Sequence, residues 1–439
     1  MSLLPTRRAA LVALVAAAGL LAYRGEAVQP WAGALVVTAL VLAVSLLDGL
    51  IGTSPSKVVL QRRHPPVVVA GRRADVEWTV RSESRRALTV HVADRLAPSL
   101  RAGSRRFRVR VPAGGSATLS TTVQPLRRGR FELDRLSLRI EGRLGLGARQ
   151  RDVPLATVLR VHPPFRSAQE AELRIRRARI LEVGMRSAKG LGGGTDFEQL
   201  REYGPDDEFR RIDWTATARA SKPIVRTYRA ERNQRVMLLL DNGRVMAGRV
   251  GGVPRAEHAI DAAMMLTAVA TRLGDRCGLV AFDREVRAVV PPARHTDQLG
   301  RVTEAMYALE PVLSESDYAG AFSEVVARFR RRAMLVVLSD LLEQAVTDSL
   351  IPALPLITRT HLVVVAGVRD PAVQHWARGS AADDDEVFRK VAAVTAIDNR
   401  RRTAAKLRSL GAIVVDAEPG ALAVDLADTY LHVKSTGRL

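Results

Sequence analysis

A chain of 439 residues with 47% hydrophobic side chains is long enough for two or three folded domains and too apolar for disorder to be the default. The net charge of +21, nearly all from arginine, suits an anionic membrane surface or nucleic acid, but aromatics at 4% and the lack of an RNP-like or helix-turn-helix pattern argue against nucleic acid. A single cysteine, Cys277, excludes an intramolecular disulfide, a thiolate zinc site and a C-x-x-C redox pair; its apolar neighbours predict a buried strand.

Two apolar runs open the chain. Residues 9–23 follow Arg7 and Arg8, and residues 31–51 follow the polar link 24–30. The second run has about 21 residues against the ~20 that a spanning helix rising 1.5 Å per residue needs, and Asp48 near its end must sit at the interface or find a partner. The clean apolar part of the first run is shorter, about 15 residues, so it reads either as a second membrane helix or as a signal peptide. Arg7 and Arg8 before the runs, and Lys57, Arg62 and Arg63 after them, outnumber the single Arg24 between them. That bias places both outer flanks in the cytoplasm. The expectation for residues 1–56 is a pair of transmembrane helices in the cell membrane, with the soluble domains cytoplasmic.

From residue 57 to 165 the period changes to two, as in Asp75-Val76-Glu77-Trp78-Thr79-Val80 and Phe107-Arg108-Val109-Arg110-Val111, with further short strands at residues 67–69 and 88–92. Turn chemistry at Gly71, Gly114-Gly115 and Gly129 spaces the strands as in a small antiparallel β-sandwich. The outward arginines read as solvated strand faces, and nothing there suggests catalysis. Pro163-Pro164 closes the region, and residues 168–182 have helical spacing at Leu173, Ala178, Ile180 and Leu181 without excluding an irregular path.

Residues 166–233 contain a stretch, 184–219, that packs glycines, acids, arginines and Trp214 with no regular hydrophobic period, so it is not ordinary core. From residue 234 to 434 strands alternate with helices, predicting a parallel sheet flanked by helices. Ligands in such folds bind at the carboxyl ends of strands, and Asp241 and Asp340 each follow an apolar strand directly.

That pair of carboxylates resembles the von Willebrand factor A fold, a Rossmann-like α/β domain whose divalent-metal site uses D-x-S-x-S, a Thr from a middle loop and a later Asp. Here the first motif reads Asp241-Asn242-Gly243-Arg244-Val245, without either serine; Ser316 is the middle-loop counterpart and Asp340 the final acid. Hard cations such as Mg²⁺ need several oxygens. The resemblance therefore implies a degenerate metal site at Asp241, Ser316 and Asp340, with Asp241 capping backbone amides or pairing with an arginine.

Together with the stretch at 184–219, the likeness narrows to the DUF58 family. The family pattern is matched by Gly194, Phe197, Leu200, Arg201, Tyr203, Pro205, Asp207, Arg210, Ile212, Asp213, Trp214, Ala218 and Arg219, with Asp196 for a Glu, Asp206 for a Gly and Thr215 where Lys is common. The resemblance implies a membrane anchor, a β-domain and an A-like domain. It also implies association with MoxR-type AAA+ ATPases, in assembly or chaperone-like roles without a catalytic activity.

The glycines at 190–194 lack the order of a phosphate-binding loop, because Lys189 precedes them. The acids of the signature alternate with arginines, which favours mutual ion pairs anchored by Trp214 over acid–base work. His258, His295 and His361 accompany no Gly-x-Ser-x-Gly elbow. The expectation is a non-enzymatic membrane adaptor or scaffold whose partner surface is the signature at Tyr203, Pro205, Asp207, Arg210, Asp213, Trp214 and Arg219. Its alternative is a metal-dependent adhesion module using Asp241, Ser316 and Asp340, with Mg²⁺ as the ion.

Overall fold

The computed structural model describes residues 2–22, 30–188, 196–204, 209, 212–229 and 234–438. They fall into two units, residues 1–162 and 163–439.

The first unit begins with strand β1 (Ser2–Pro5), helix α1 (Arg7–Ala22) and helix α2 (Pro30–Ile51), which packs against α1. Among the described residues one helix is long and apolar enough to cross a membrane, the stretch from Trp31. Strands β2 (Val58–Arg63), β3 (Val67–Val69), β4 (Ala74–Ser82), β5 (Leu88–Asp94), β6 (Arg106–Val111), β7 (Ser116–Val123), β8 (Gly129–Glu141) and β9 (Gly147–His162) follow. They form two sheets. One has the order β1-β9-β8-β5-β6, with β3 also on β9, and the other has the order β2-β4-β7. The expected β-sandwich is present, and all its pairings are antiparallel except β3 with β9.

The period of two sorts the side chains. On β4 Val76, Trp78 and Val80 point inward, and on β5 Leu88, Val90 and Val92 meet them. The same alternation turns Arg62 inward from β2 and Asp94 inward from β5, and both side chains are fully buried. Arg62 Nε and Nη2 each donate to Asp94 at 2.9 Å, and Trp78 Nε1 donates to the same carboxylate at 2.7 Å. Arg62 Nη1 is used up by Leu133 O, Leu155 O and Thr157 Oγ1. Arg62 is therefore a core ion-pair partner and not, as expected, one of the charges flanking the second apolar run.

The N-terminal helices are tied to the sandwich at one place. β1 pairs antiparallel with β9 from Ser2 opposite Gln150 to Pro5 opposite Gly147, and Thr6 Oγ1 donates to Gly145 O. At the far end of α2, the buried Asp48 carboxylate accepts from the backbone N–H groups of Leu144, Leu146 and Gly147 at 2.9, 2.9 and 3.0 Å. Asp48 has thus found a partner, and the partner is backbone. Gly147 has to be glycine, since a Cβ there would lie 1.8 Å from Ser45 O. Both outer ends of the helix pair converge on the loop between β8 and β9.

The second unit opens with α3 (Ala168–Ala188), which buries Ala171 and Ile175 while Leu173 and Ile180 stay exposed. Of the two paths left open for residues 168–182 the helix is the one found, and its buried face is set by the neighbouring helices Arg255–Arg272 and Leu422–Ser435. The signature folds as a two-stranded antiparallel hairpin, β10 (Asp196–Glu202) with β11 (Ile224–Arg229), carrying α4 (Trp214–Ala220) between them. β12 (Arg235–Asp241) then enters a six-stranded sheet.

The order across that sheet is Val286–Ala293, Arg276–Phe282, β12, Met334–Leu338, Leu362–Val368 and Ile413–Ala417. Every pairing is parallel except the first, so the sheet is mixed where an all-parallel one was expected. The edge strand Val286–Ala293 was not expected from the sequence. It carries Pro291 and Pro292, which an edge can hold because one side of the strand has no ladder to lose. The central strands are apolar throughout because helices cover both faces. On one face the alanine-rich helix Arg255–Arg272 lies close to the sheet; on the other Tyr318–Arg328 buries Phe322 and Val325. At the amino end of β12, Asp275 receives the Gln234 N–H, the Tyr430 hydroxyl and the Lys434 ammonium, which fastens the last helix to the sheet.

Candidate functional site

Of Asp241, Ser316 and Asp340, expected together from the sequence, Asp241 and Ser316 are in hydrogen-bond contact, while Asp340 follows the neighbouring strand Met334–Leu338 and takes other partners. Pairing of Leu240 with Leu338 brings the next residues, Asp241 and Ser339, side by side. The turn after β12 is pinned by Asn242 N–H to Phe282 O at 2.7 Å and Arg244 N–H to Ser314 O at 2.9 Å, which draws the loop bearing Ser316 over Asp241.

The Asp241 carboxylate is fully buried. Its Oδ1 accepts from Gly243 N–H at 2.8 Å and Ser316 Oγ at 2.5 Å; its Oδ2 accepts from Tyr318 OH and Ser339 Oγ, both at 2.6 Å. Four donors from the protein itself occupy its lone-pair directions. Burial, together with the adjacent Asp241 charge, pushes the Tyr318 phenol well above its ordinary value, so it stays a donor. Asp241 does cap a backbone amide, as expected.

The arginine partner falls to Asp340 instead. Arg400 Nη1 donates to Asp340 Oδ1 at 2.8 Å, while Arg255 Nε lies 2.9 Å from Oδ2 in an ion pair bent away from hydrogen-bond geometry. Arg400 also grips Asp416 through Nε and Nη2. The opposing pulls on Arg400 are burial, which disfavours its charge, and the two carboxylates, which favour it; the outcome is a raised pKa and a fixed positive charge. Asp283, at the end of the next strand, is pushed up by burial but held below the ordinary carboxylate range by Arg287, which binds both its oxygens at 2.9 and 2.7 Å.

A divalent cation does not fit this arrangement. Gly243 and Val245 offer no side-chain oxygen, Asp241 is consumed by four donors, and two guanidinium groups stand on Asp340 where a cation's charge would be needed. Among the described residues no group of three His, Cys, Asp or Glu side chains could hold a metal ion. Arg244 pairs with Glu315 at 2.5 Å on the surface, away from Asp241.

Among the described residues the strand-end cluster forms no Ser–His pair. Ser339 donates to Asp241 with no histidine partner among the described residues, and His361 Nδ1 accepts the Ala333 N–H at 3.2 Å in a buried structural role. Cys277 is buried as expected, and burial pushes its thiol up to about 12.

In the signature, Asp213 caps α4, accepting from Thr215 N–H at 3.0 Å and Ala216 N–H at 3.1 Å. Arg219 is exposed in the last turn of that helix, and Tyr203 lies at the end of the hairpin, its N–H on Pro223 O. Trp214 is not the buried anchor expected. It is 61% exposed and meets Phe209, 67% exposed, edge to face with ring centroids 5.6 Å apart. Pro205, Asp207 and Arg210, and the glycines at 190–194, lie outside the described residues.

Sequence reading missed Tyr318, Arg255, Arg400, Asp416 and Phe209. Tyr318 stood two residues from Ser316 and could have been included. Arg400 is 60 residues from Asp340 within a helix, Asp384–Ser409, rich in arginine, and nothing local distinguishes it.

The fold and site define a mixed α/β domain with an internally saturated strand-end cluster, in a chain that also carries a β-sandwich and an apolar N-terminal helix. Residues 199–407, a little under half of the chain, match the family described as "Protein of unknown function DUF58", and over that stretch the chain is a DUF58 family protein. It is similar to "Uncharacterized protein Rv1480" of Mycobacterium tuberculosis (strain H37Rv) and "Uncharacterized protein Mb1516" of Mycobacterium bovis. Each is 29% identical over 154 residues, which cover 34% of this chain and 48% of the relative, so the chain spans about half the length of these relatives. Among solved structures it is similar to the CARDB domain of the PF1109 protein from Pyrococcus furiosus (13% identity, 24% of this chain and 86% of that one, TM-score 0.17). It is also similar to WR4, a C. elegans MSP family member (14% identity, 24% and 95%, TM-score 0.16).

Proposed function

We propose that this protein is a non-enzymatic adaptor anchored in the cell membrane, whose cytoplasmic α/β domain, von Willebrand factor A-like in type, recruits a MoxR-type AAA+ ATPase or its client. The observation that carries the reading is the exposed Phe209–Trp214 pair within the family's signature, in a domain whose strand-end carboxylates are all engaged internally. Exposed aromatic pairs rimmed by charge are favoured anchors of protein interfaces. The ATPase is suggested by the family resemblance alone.

The membrane part of the proposal is a two-helix hairpin with both outer ends on one side. It is supported by the convergence of the start of α1 and the end of α2 on a single sandwich loop, and by the use of residues 2–5 as a strand, which a cleaved leader would remove. The basic flanks, now without Arg62, still favour the cytoplasm.

Affinity capture from detergent-solubilised membranes under ATP-trapping conditions should recover an AAA+ ATPase, and the pair Phe209→Ala with Trp214→Ala should lower recovery about tenfold or more. Recovery of no ATPase from the wild-type chain would remove the proposal. The second reading, a metal-dependent adhesion module, rests on the convergence of Asp241 and Ser316 and requires the hydroxyl network to open. Calorimetry detecting Mg²⁺ or Mn²⁺ binding that Asp241→Ala abolishes would favour it.

A further inference from the structure

We propose that the loop between β8 and β9, together with the two ends of the helix pair, forms a collar that binds the headgroups of anionic phospholipids. The proposal rests on the membrane reading above and adds which lipids the protein selects and which residues select them.

The collar is built where the apolar helices join the sandwich. α2 exposes Leu46, Leu47, Leu50 and Ile51 up to its last residue, and the adjoining loop continues that apolar surface with Leu144, 63% exposed although the N–H of the same residue is held by Asp48. A leucine side chain held outward on a fixed backbone, level with the end of a spanning helix, is placed to enter the boundary between headgroups and acyl chains.

Around it the charge is positive. Arg7 and Arg8 open α1, and Arg143 precedes Leu144; all three are exposed, and no carboxylate pairs with them among the described residues. The Arg8 guanidinium reaches the loop, with Nη1 3.0 Å from where a Cβ on Gly145 would stand. Arg149 holds the end of α2 through Gly52 O at 3.2 Å, and exposed Lys57 follows six residues after Ile51.

The acids that could neutralise these cations are engaged elsewhere. Asp48 is covered by three backbone N–H groups, and Glu141 is taken by His91 at 2.6 Å and Arg108 at 3.1 Å. Exposed arginines without acidic partners, beside an apolar wedge and a spanning helix, match a phosphate-bearing surface over a hydrocarbon layer. Zwitterionic headgroups offer the same phosphate with a compensating ammonium, so the preference falls on net-negative lipids.

The full chain, reconstituted in nanodiscs of phosphatidylcholine alone or with phosphatidylglycerol, provides the test. Cys277 is the sole cysteine and is buried, so Leu144→Cys introduces one accessible thiol for an environment-sensitive dye, and exposed Leu126→Cys, at the opposite end of β8, serves as the control. The dye at 144 should be quenched by lipid-borne quenchers and the dye at 126 should not. Native mass spectrometry should find phosphatidylglycerol retained over phosphatidylcholine by about fivefold for each arginine engaged, a preference that Arg8→Gln with Arg143→Gln largely removes. A water-exposed dye at 144, or equal retention of the two lipids, overturns the collar; if carbonate-washed membranes still hold the chain, the anchoring itself stands. Release of the chain by carbonate removes both.

Discussion

Ser316 Oγ lies 2.5 Å from Asp241 Oδ1 and fills the space that a side chain at Gly243 would need, for a Cβ there would sit 2.0 Å from that oxygen. The missing serine at position 243 and the hydroxyl at position 316 are therefore one feature. Asp241 Oδ1 is 3.2 Å from the same Cβ position, so a hydroxyl arriving from either side could serve the carboxylate, but not both at once.

This predicts a coupled pair. Gly243→Ser should destabilise the domain by about 1–3 kcal/mol through overpacking. Adding Ser316→Gly should recover on the order of 1 kcal/mol relative to the sum of the single changes, because the two residues compete for one volume. Denaturant unfolding of the full chain in detergent reads both quantities. Additive effects would show that the two residues do not compete.

The Asp340 cluster should respond asymmetrically. Arg400→Ala leaves Asp340 and Asp416 facing each other with one guanidinium fewer, at a cost of about 3–5 kcal/mol. Removing the acid stranded by that change as well, in Arg400→Leu with Asp416→Leu, should recover part of that loss, since Asp340 keeps Arg255 and the penalty lies in the unpaired charge. Thermal unfolding of the three proteins distinguishes this from a loss of packing alone, in which the double change would be the worst.

In the sandwich, Arg62→Leu strands Asp94 with only Trp78 Nε1 as donor and should cost about 3–5 kcal/mol. Arg62→Leu with Asp94→Leu should be closer to the parent than either single variant. Hydrogen exchange on β2 and β5 gives a local measure, and unchanged protection in the Arg62→Leu variant would contradict it.

Burial holds the His361 pKa below its ordinary value of about 6.5. The unfolded chain therefore takes up a proton at a higher pH than the folded one, and the neutral imidazole's contribution is fully present above about pH 6.5 and declines as the pH falls toward the folded value. His258 is shifted in the same direction, by burial first and by Arg166 second. His361→Gln should flatten, without abolishing, the loss of stability between pH 7 and pH 5. An unchanged slope in the melting temperature against pH would exclude His361 as a contributor.

The chain's local patterns carried a good deal of this architecture. The period of two in Asp75-Val76-Glu77-Trp78-Thr79-Val80 is enough to place Trp78 inside a sandwich, because a strand has only two faces. Apolar strands ending in Asp241 and Asp340 put both carboxylates at one edge of a sheet, because parallel strands share a direction. Even Arg62 was legible in principle, since the alternation in VVLQRR aligns it with Val58 and Leu60.

What the sequence by itself determined was which elements form and which end of the sheet bears acids, because periodicity and chain direction are local properties. The tertiary structure alone decided that Asp241 is satisfied by hydroxyls from two other segments, that Asp340 is held by arginines 85 residues before it and 60 after it, and that the loop at Leu144 receives both ends of the helix pair. These are long-range encounters. No residue announces in its own neighbourhood which distant charge will neutralise it, and burial away from water makes that pairing obligatory once the fold has formed.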